Sequence, residues 1–225
     1  MSADEVKREQ PQVRVGPAGW SYPDWWGIVY PQPAPKNFHP LQRIASWFDV
    51  VEINNSFYRI PAPHHALSWV RQVEEFPAFC FAAKLYKGFT HEGTFNQKEA
   101  KEYREFLQPL TEAERLCAVL IQFPWSFKAN AENWEYAAKL FAEFGEYPLA
   151  LEVRHDSWWK PDYFERLRAR GVALANIDQP ALSHNILPDE VATAPLAYVR
   201  FHGRNEQAWW AKEEEYPGAR YDYLY

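Results

Sequence analysis

Seven short apolar runs, most of them ending in a polar or charged residue and separated by helix-length segments, constrain this chain more than any other feature. They are Val13–Gly19, Phe48–Asn54, Phe79–Tyr86, Leu116–Phe123, Leu149–Arg154, Val172–Asp178 and Leu196–Arg204. Side chains alternate across a strand, so each run has one face for packing helices and one face that carries its terminal polar group. Strand–helix alternation of this kind predicts a parallel sheet wound by right-handed crossovers. An open doubly wound sheet would bind at a switch point, often through a glycine-rich phosphate turn, and neither GxGxxG nor GxxxxGK[ST] occurs. A TIM-type (β/α) barrel instead sends all the polar strand ends to one mouth. Seven strands are countable and an eighth is not, so the reading is a barrel with its eighth strand missing and an open seam beside the first.

Strand parity names the candidates. Glu152 and Arg154 share a face above the small Ala150, opposite Leu149, Leu151 and Val153. The second run places Glu52 and Asn54 inward, the third Lys84, the fourth Gln122, the sixth Asn176 and Asp178, and the seventh Tyr198, Arg200 and His202, with Arg204 just beyond. Val51, Ile53, Val199 and Phe201 are assigned to the helix-covered side. The loop after the third run brings His91 near the same surface. Between Gln179 and Pro195 the pattern is irregular and predicts no element.

With 225 residues and 47% hydrophobic content, the chain can bury the core of one large α/β domain, 13–225, after a charged, disordered leader over residues 1–12. A net charge of −6 gives no overall basic field toward nucleic acid or anionic membrane. Only Cys80 and Cys117 occur, each in an apolar run, which reads as two buried thiols in a reducing compartment. No signal sequence and no stretch of 18 apolar residues is present, so a cytoplasmic protein with no membrane partner is expected. Eleven tryptophans, several beside turn residues (Trp20, Trp25, Trp26, Trp125, Trp158, Trp159, Trp209, Trp210), could cap the core or stack on a ligand ring.

The stretches GPAGWSYPDWWGIVYP, VEINNSFYRIPAP, FAAKLYKGFTHEG, VLIQFPWSF, LALEVRHDSWW and YVRFHGRN occur in that order. Together they resemble the YecE-like family, domain of unknown function 72, over Val13 to Tyr225. The resemblance implies a TIM-type barrel without an assigned reaction. Relatives continue past the YDYLY segment with a further helix and strand, so the domain is expected to be C-terminally incomplete.

The expected mouth sets Glu52, Glu152 and Asp178 against Lys84, Arg154, Arg200 and Arg204, with His202, Gln122, Asn54 and Trp20 around them. Arginines bind phosphate or carboxylate through paired hydrogen bonds, and a carboxylate beside such an anion can transfer protons. The resulting reading is a hydrolase or isomerase of a phosphorylated or sugar-like small molecule, with Glu152, Glu52 and Asp178 catalytic. Two carboxylates on distant strands could also flank a glycosidic bond. A metal-dependent phosphodiesterase or endonuclease-like activity on nucleic acid would draw on His155, His202, Glu52, Glu152 and Asp178. The neighbouring Lys and Arg repel a divalent cation, so no cofactor is expected. A non-catalytic anion- or nucleotide-binding module would use the same basic residues. The sequence does not indicate an oligomeric state.

Overall fold

The structure, a computed structural model, describes residues 12–209 and Tyr223. The strands are β1 (Val50–Ile53), β2 (Cys80–Lys84), β3 (Leu116–Gln122), β4 (Leu149–Glu152), β5 (Ala173–Asp178) and β6 (Tyr198–Phe201). They form one sheet in the order β1-β2-β3-β4-β5-β6, every neighbouring pair parallel. The helices are α1 (Pro40–Ala45), α2 (Asn55–Tyr58), α3 (Pro63–Gln72), α4 (Lys87–Thr90), α5 (Gln97–Glu112), α6 (Ala131–Glu143), α7 (Pro161–Arg168) and α8 (Glu206–Trp209).

The long helices form where the sequence supplies both a start signal and an apolar stripe. Asn96 caps α5 by accepting from the Lys98 N–H at 2.9 Å, and Asn130 caps α6 by accepting from Asn133 N–H at 2.7 Å. Ala100, Tyr103, Phe106, Leu107 and Leu110 then line one side of α5, and Trp134, Ala137, Leu140 and Phe141 one side of α6. These stripes join Val51, Ile53, Phe81, Val119, Ile121, Leu149, Leu151 and Val153 from the outer face of the sheet in one core. Burying each such aromatic or branched side chain is worth about 1.5–3 kcal/mol.

The inner face is built differently. Leu120, Ala150 and Ala173 pack together there beneath Leu196 and Tyr198, and Ala82 and Ala118 are also buried. Small residues belong on this face because the sheet is rolled around it. Laid flat, six strands about 4.8 Å apart would hold β1 and β6 roughly 24 Å from each other. Yet Arg200 on β6 donates to Glu52 on β1 at 2.9 Å, and the Tyr198 hydroxyl donates to the same carboxylate at 2.8 Å.

The expected seven-stranded TIM-type barrel is therefore corrected: among the described residues there are six parallel strands, curled into a half-barrel. The first apolar run is not a strand. It lies along β1 through Val15, Pro17 and Gly19, but only Ala18–Glu52 forms a bridge. Pro17 has no N–H to give and Gly16 no side chain to pack, so the ladder cannot extend. Among the described residues no strand pairing joins β6 to β1. The alternation also breaks between β5 and β6, where the irregular segment runs without a helix and is tied back to β5. Asn176 there exchanges hydrogen bonds with the Val191 backbone at 2.9 and 3.1 Å, and the Thr193 hydroxyl donates to Val172 at 2.7 Å.

Parity holds on β1 to β4 and on the inner face of β6, and fails on β5. Ala150 stands opposite Ala173, and Ile177 opposite Arg200, so Ala173, Ala175 and Ile177 face inward while Leu174, Asn176 and Asp178 face outward. VALANID is apolar at both even and odd positions, and the narrow interior takes the alanines. Val199 and Phe201 face outward as expected but are not helix-covered, being 51% and 64% exposed. Both cysteines are free, with Cys80 buried and Cys117 only partly so. No helix among the described residues is long and apolar enough to cross a membrane. Residues 1–11 of the leader and the YDYLY tail, apart from Tyr223, lie outside the described residues.

A Cβ at Gly16 would sit 1.6 Å from the Val50 carbonyl oxygen, a backbone atom that cannot turn aside. Gly16→Ala is accordingly expected to lift the first run off β1 and cost about 3 kcal/mol in a urea denaturation series, the upper part of the usual overpacking range. A loss below about 0.5 kcal/mol would show that this run contributes nothing to the sheet.

Candidate functional site

The polar ends of β1, β2, β3, β4 and β6 meet at one end of the rolled sheet, as parallel strands require. Glu152, the last residue of β4, is fully buried, and both of its oxygens are engaged. Arg154 Nε donates to Oε1 at 2.9 Å and Arg200 to Oε2 at 2.6 Å. Through its other nitrogen Arg200 reaches Glu52, whose second oxygen accepts from Tyr198. His202 completes the group, with Nε2 3.3 Å from an Arg154 nitrogen and 3.7 Å from Glu152.

This arrangement sets the protonation states. Burial pushes the Glu152 carboxyl up, but Arg200 and Arg154 outweigh it and hold it well below the usual carboxylate range. Burial pushes the His202 imidazole down, against the pull of Glu152, and the two guanidiniums add to the downward shift. Glu152 is thus a permanent counter-ion with no proton to give, and His202 is neutral near pH 7.

Lys84 closes β2 beside this network. It is 8% exposed, and no carboxylate among the described residues forms an ion pair with it within 4.0 Å. Its Nζ lies over the Phe57 ring, 4.1 Å from the centroid. Burial first, then the nearby Arg200, lowers its pKa from 10.5 to about 8, with Glu52 and Glu152 pulling the other way. Its backbone is held from two sides: the Tyr103 hydroxyl donates to the Lys84 carbonyl at 2.9 Å, and the Ser56 hydroxyl lies 2.6 Å from the same oxygen.

In front of Lys84 opens a cleft of about 500 Å³ lined by Phe57, Lys84, His91, Gln122, Pro124, Trp125, Arg154, Gln179 and Asn185. Phe57 and Trp125 supply the apolar walls. Lys84 and Arg154 supply charge, and burial together with Lys84 and Arg154 lowers the pKa of His91. Gln179 donates to the Ile186 carbonyl at 3.2 Å, while its own oxygen is buried with no hydrogen-bond partner among the described residues.

Of the residues singled out in the sequence, Lys84, His91, Gln122, Trp125 and Arg154 line the cleft, and Glu52, Glu152, Arg200 and His202 stand behind them. Asp178 does not join them. It faces outward on β5 and holds Arg204 through two bonds of 2.8 Å. Asn54 precedes α2 and is not part of the lining, and Trp20 packs edge-on against Trp69 at 5.2 Å. Most of the loop tryptophans are likewise structural: Trp25 and Trp26 surround Tyr30, Trp158 stacks on Phe127 and meets Tyr163 at a tilt, and Trp159 donates to Asp189. The side chains of Trp209 and Trp210 lie outside the described residues. Sequence parity missed Phe57, Gln179 and Asn185, which sit on loops and short turns where no alternation exists to read.

The fold and site define a parallel α/β half-barrel whose strand ends carry a buried ion network behind a cationic, aromatic-walled cleft. Residues 14–225 match the family described as protein of unknown function DUF72, and the chain belongs to that family. It is 31% identical over 227 residues to the UPF0759 protein YunF of Bacillus subtilis, covering 95% of this chain and 78% of that protein. The UPF0759 protein YecE of Escherichia coli O157:H7 is 25% identical over 174 residues, and the match spans 58% of its length. Among solved structures, a DUF72 family protein of Thermotoga maritima (TM1631) superposes with a TM-score of 0.77 at 35% identity, covering 94% of this chain and 81% of that one. A DUF72 family protein of Enterococcus faecalis (EF0366) gives 0.68 at 29% identity, covering 75% and 71%.

Two outcomes test these electrostatics. Glu152→Gln removes the buried carboxylate that Arg154 and Arg200 share, leaving Arg200 with Glu52 alone, and should lower stability by about 3–5 kcal/mol in urea, whereas a loss under about 1 kcal/mol would mean that the guanidiniums find other partners. Lys84 acts in the opposite sense. Its pKa falls from 10.5 to about 8 on folding, so its ammonium form favours the unfolded chain. The stability it withholds is fully present above pH 10.5 and is lost as the pH falls toward about 8. Lys84→Met should therefore be more stable than the parent at pH 7, by about 1–3 kcal/mol, and the advantage should shrink above pH 10. Equal stability at both pH values would show that burial does not strain this amine.

Proposed function

We propose that the protein is an enzyme of small organic anions, a hydrolase or isomerase of a phosphorylated or sugar-like compound. In this reading the ligand sits between Phe57 and Trp125 with its charge on Lys84 and Arg154. One observation carries the proposal: Lys84 and Arg154 line the cleft, while Glu52 and Glu152 are withdrawn behind it and locked to Arg200. A cleft of about 500 Å³ is also the usual size for a small molecule. The part first assigned to Glu152 as proton donor and acceptor passes to Lys84 and His91, since both oxygens of Glu152 are engaged and the two guanidiniums hold its carboxyl well below the usual carboxylate range. Two free thiols support a reducing, cytoplasmic setting. A nucleic-acid substrate has less support, because the net charge is −6 and the cleft offers two aromatic walls rather than a basic track.

Sulfate, which stays fully ionised across this range, is the suitable probe. It should raise the melting temperature by mass action relative to chloride at equal ionic strength. The rise should fade as the pH climbs through about 8, where Lys84 loses its proton, and should be absent in the Lys84→Met/Arg154→Ala double variant. An equal rise in chloride, or one that survives in the double variant, would refute the anion site.

A further inference from the structure

We propose that Lys84 is a covalent nucleophile, its amine condensing with the carbonyl carbon of a small aldehyde or ketone that carries a carboxylate or phosphate. This deepens the reading of the cleft given above and rests on it. The argument begins with what surrounds the amine. Lys84 is the last residue of β2, with its carbonyl pinned by Tyr103 and Ser56, so the side chain leaves a fixed point and enters the cleft. Phe57 covers one side of Nζ. Glu52 on β1 and Glu152 on β4 attract the ammonium form, but their oxygens are already held by Arg200, Tyr198 and Arg154. Arg154 from the end of β4, Arg200 from β6 and His91 after α4 are the further charged and titratable groups that act on it among the described residues. A lysine used only as a structural counter-ion would pair with a carboxylate. This one instead faces a cavity, desolvated and beside other cations, which is how amines are made nucleophilic.

The rest of the cleft supplies what a condensation needs. Arg154 on the same wall holds the anionic group. The amides of Gln122 and Asn185 line the same wall, suited to a hydroxyl beside the carbonyl. In the step itself the lone pair on neutral Nζ forms the C–N bond, and the carbonyl π pair moves to oxygen, which takes up a proton. The resulting carbinolamine then loses its oxygen as water, the two hydrogens of that water balancing the two that nitrogen gives up, and a C=N bond remains. No oxidant or metal takes part. The neutral imidazole of His91, within the same lining, is placed to carry protons between nitrogen and oxygen.

Reductive trapping tests this directly. The full chain is incubated at pH 8 with glyoxylate and sodium cyanoborohydride, which reduces an iminium to a stable secondary amine, and the modified lysines are located by peptide mass spectrometry. Lys84 is expected to be labelled at least tenfold faster than the exposed Lys98 and Lys101, and its labelling to slow when sulfate fills the cleft. Glycolaldehyde, which lacks the anionic group, should label it more slowly than glyoxylate. Lys84→Arg should remove the fast site while retaining a charge there. Labelling of Lys84 no faster than that of Lys98 and Lys101 overturns the proposal, and because it is read on the unaltered protein it does not depend on the variant folding. Sulfate stabilisation without fast labelling overturns the covalent step alone and leaves the anion cleft standing; loss of both removes the two together.

Discussion

The interaction on which the architecture turns is the carboxylate of Glu152, enclosed between Arg154 and Arg200 with Glu52 beyond. It joins β4 to β6 and, through Arg200, to β1 at the far edge of the sheet. An ionised carboxylate taken fully out of water has to be met by good geometry, and here each oxygen receives a charge-assisted hydrogen bond of 2.9 Å or less. Such a network gains less in net stability than its separate bonds suggest. What it does fix is shape, because strands at the two edges can share one guanidinium only if the sheet is rolled.

The same network decides which groups are left for chemistry. By engaging Glu52 and Glu152, the two inner arginines and Tyr198 keep both carboxylates away from a ligand, so the field at the cleft wall is set by Lys84 and Arg154. The ammonium of Lys84 then faces positive neighbours with no partner within ion-pair distance among the described residues, and its proton is loosened. A stabilising arrangement on the inner face thereby produces a destabilised, chemically useful group in front of it. Lys84 lies at the junction, held in place by hydroxyls from α2 and α5 that belong to the hydrophobic side of the protein.

Much of this was legible in the chain. The apolar runs located all six described strands to within three residues. Period-two parity put Glu52, Lys84, Gln122, Glu152 and Arg200 on one inner face because each of their strands has a greasy side and a sparse one. It failed on β5, where VALANID has apolar residues on both sides and only the register against Ala150 selects a face. That choice takes Asp178 away from the other acids and gives Arg204 a partner outside the cleft. The first run failed for a different reason, since Gly16 and Pro17 interrupt a ladder whose hydrophobic composition still looks like a strand.

The sequence by itself determined the parallel α/β class, the charged strand ends and the family, because side-chain periodicity and motif order are local properties. Only the tertiary structure decided how far the sheet closes, which carboxylates are engaged, and that Phe57, Trp125, Gln179 and Asn185 form the walls of one cleft. Those outcomes depend on which atoms meet across distances of up to 148 positions in the chain, as Glu52 and Arg200 do. A carboxylate written in the sequence is a candidate acid or base. Whether it keeps that capacity depends on the cation that folding places against it.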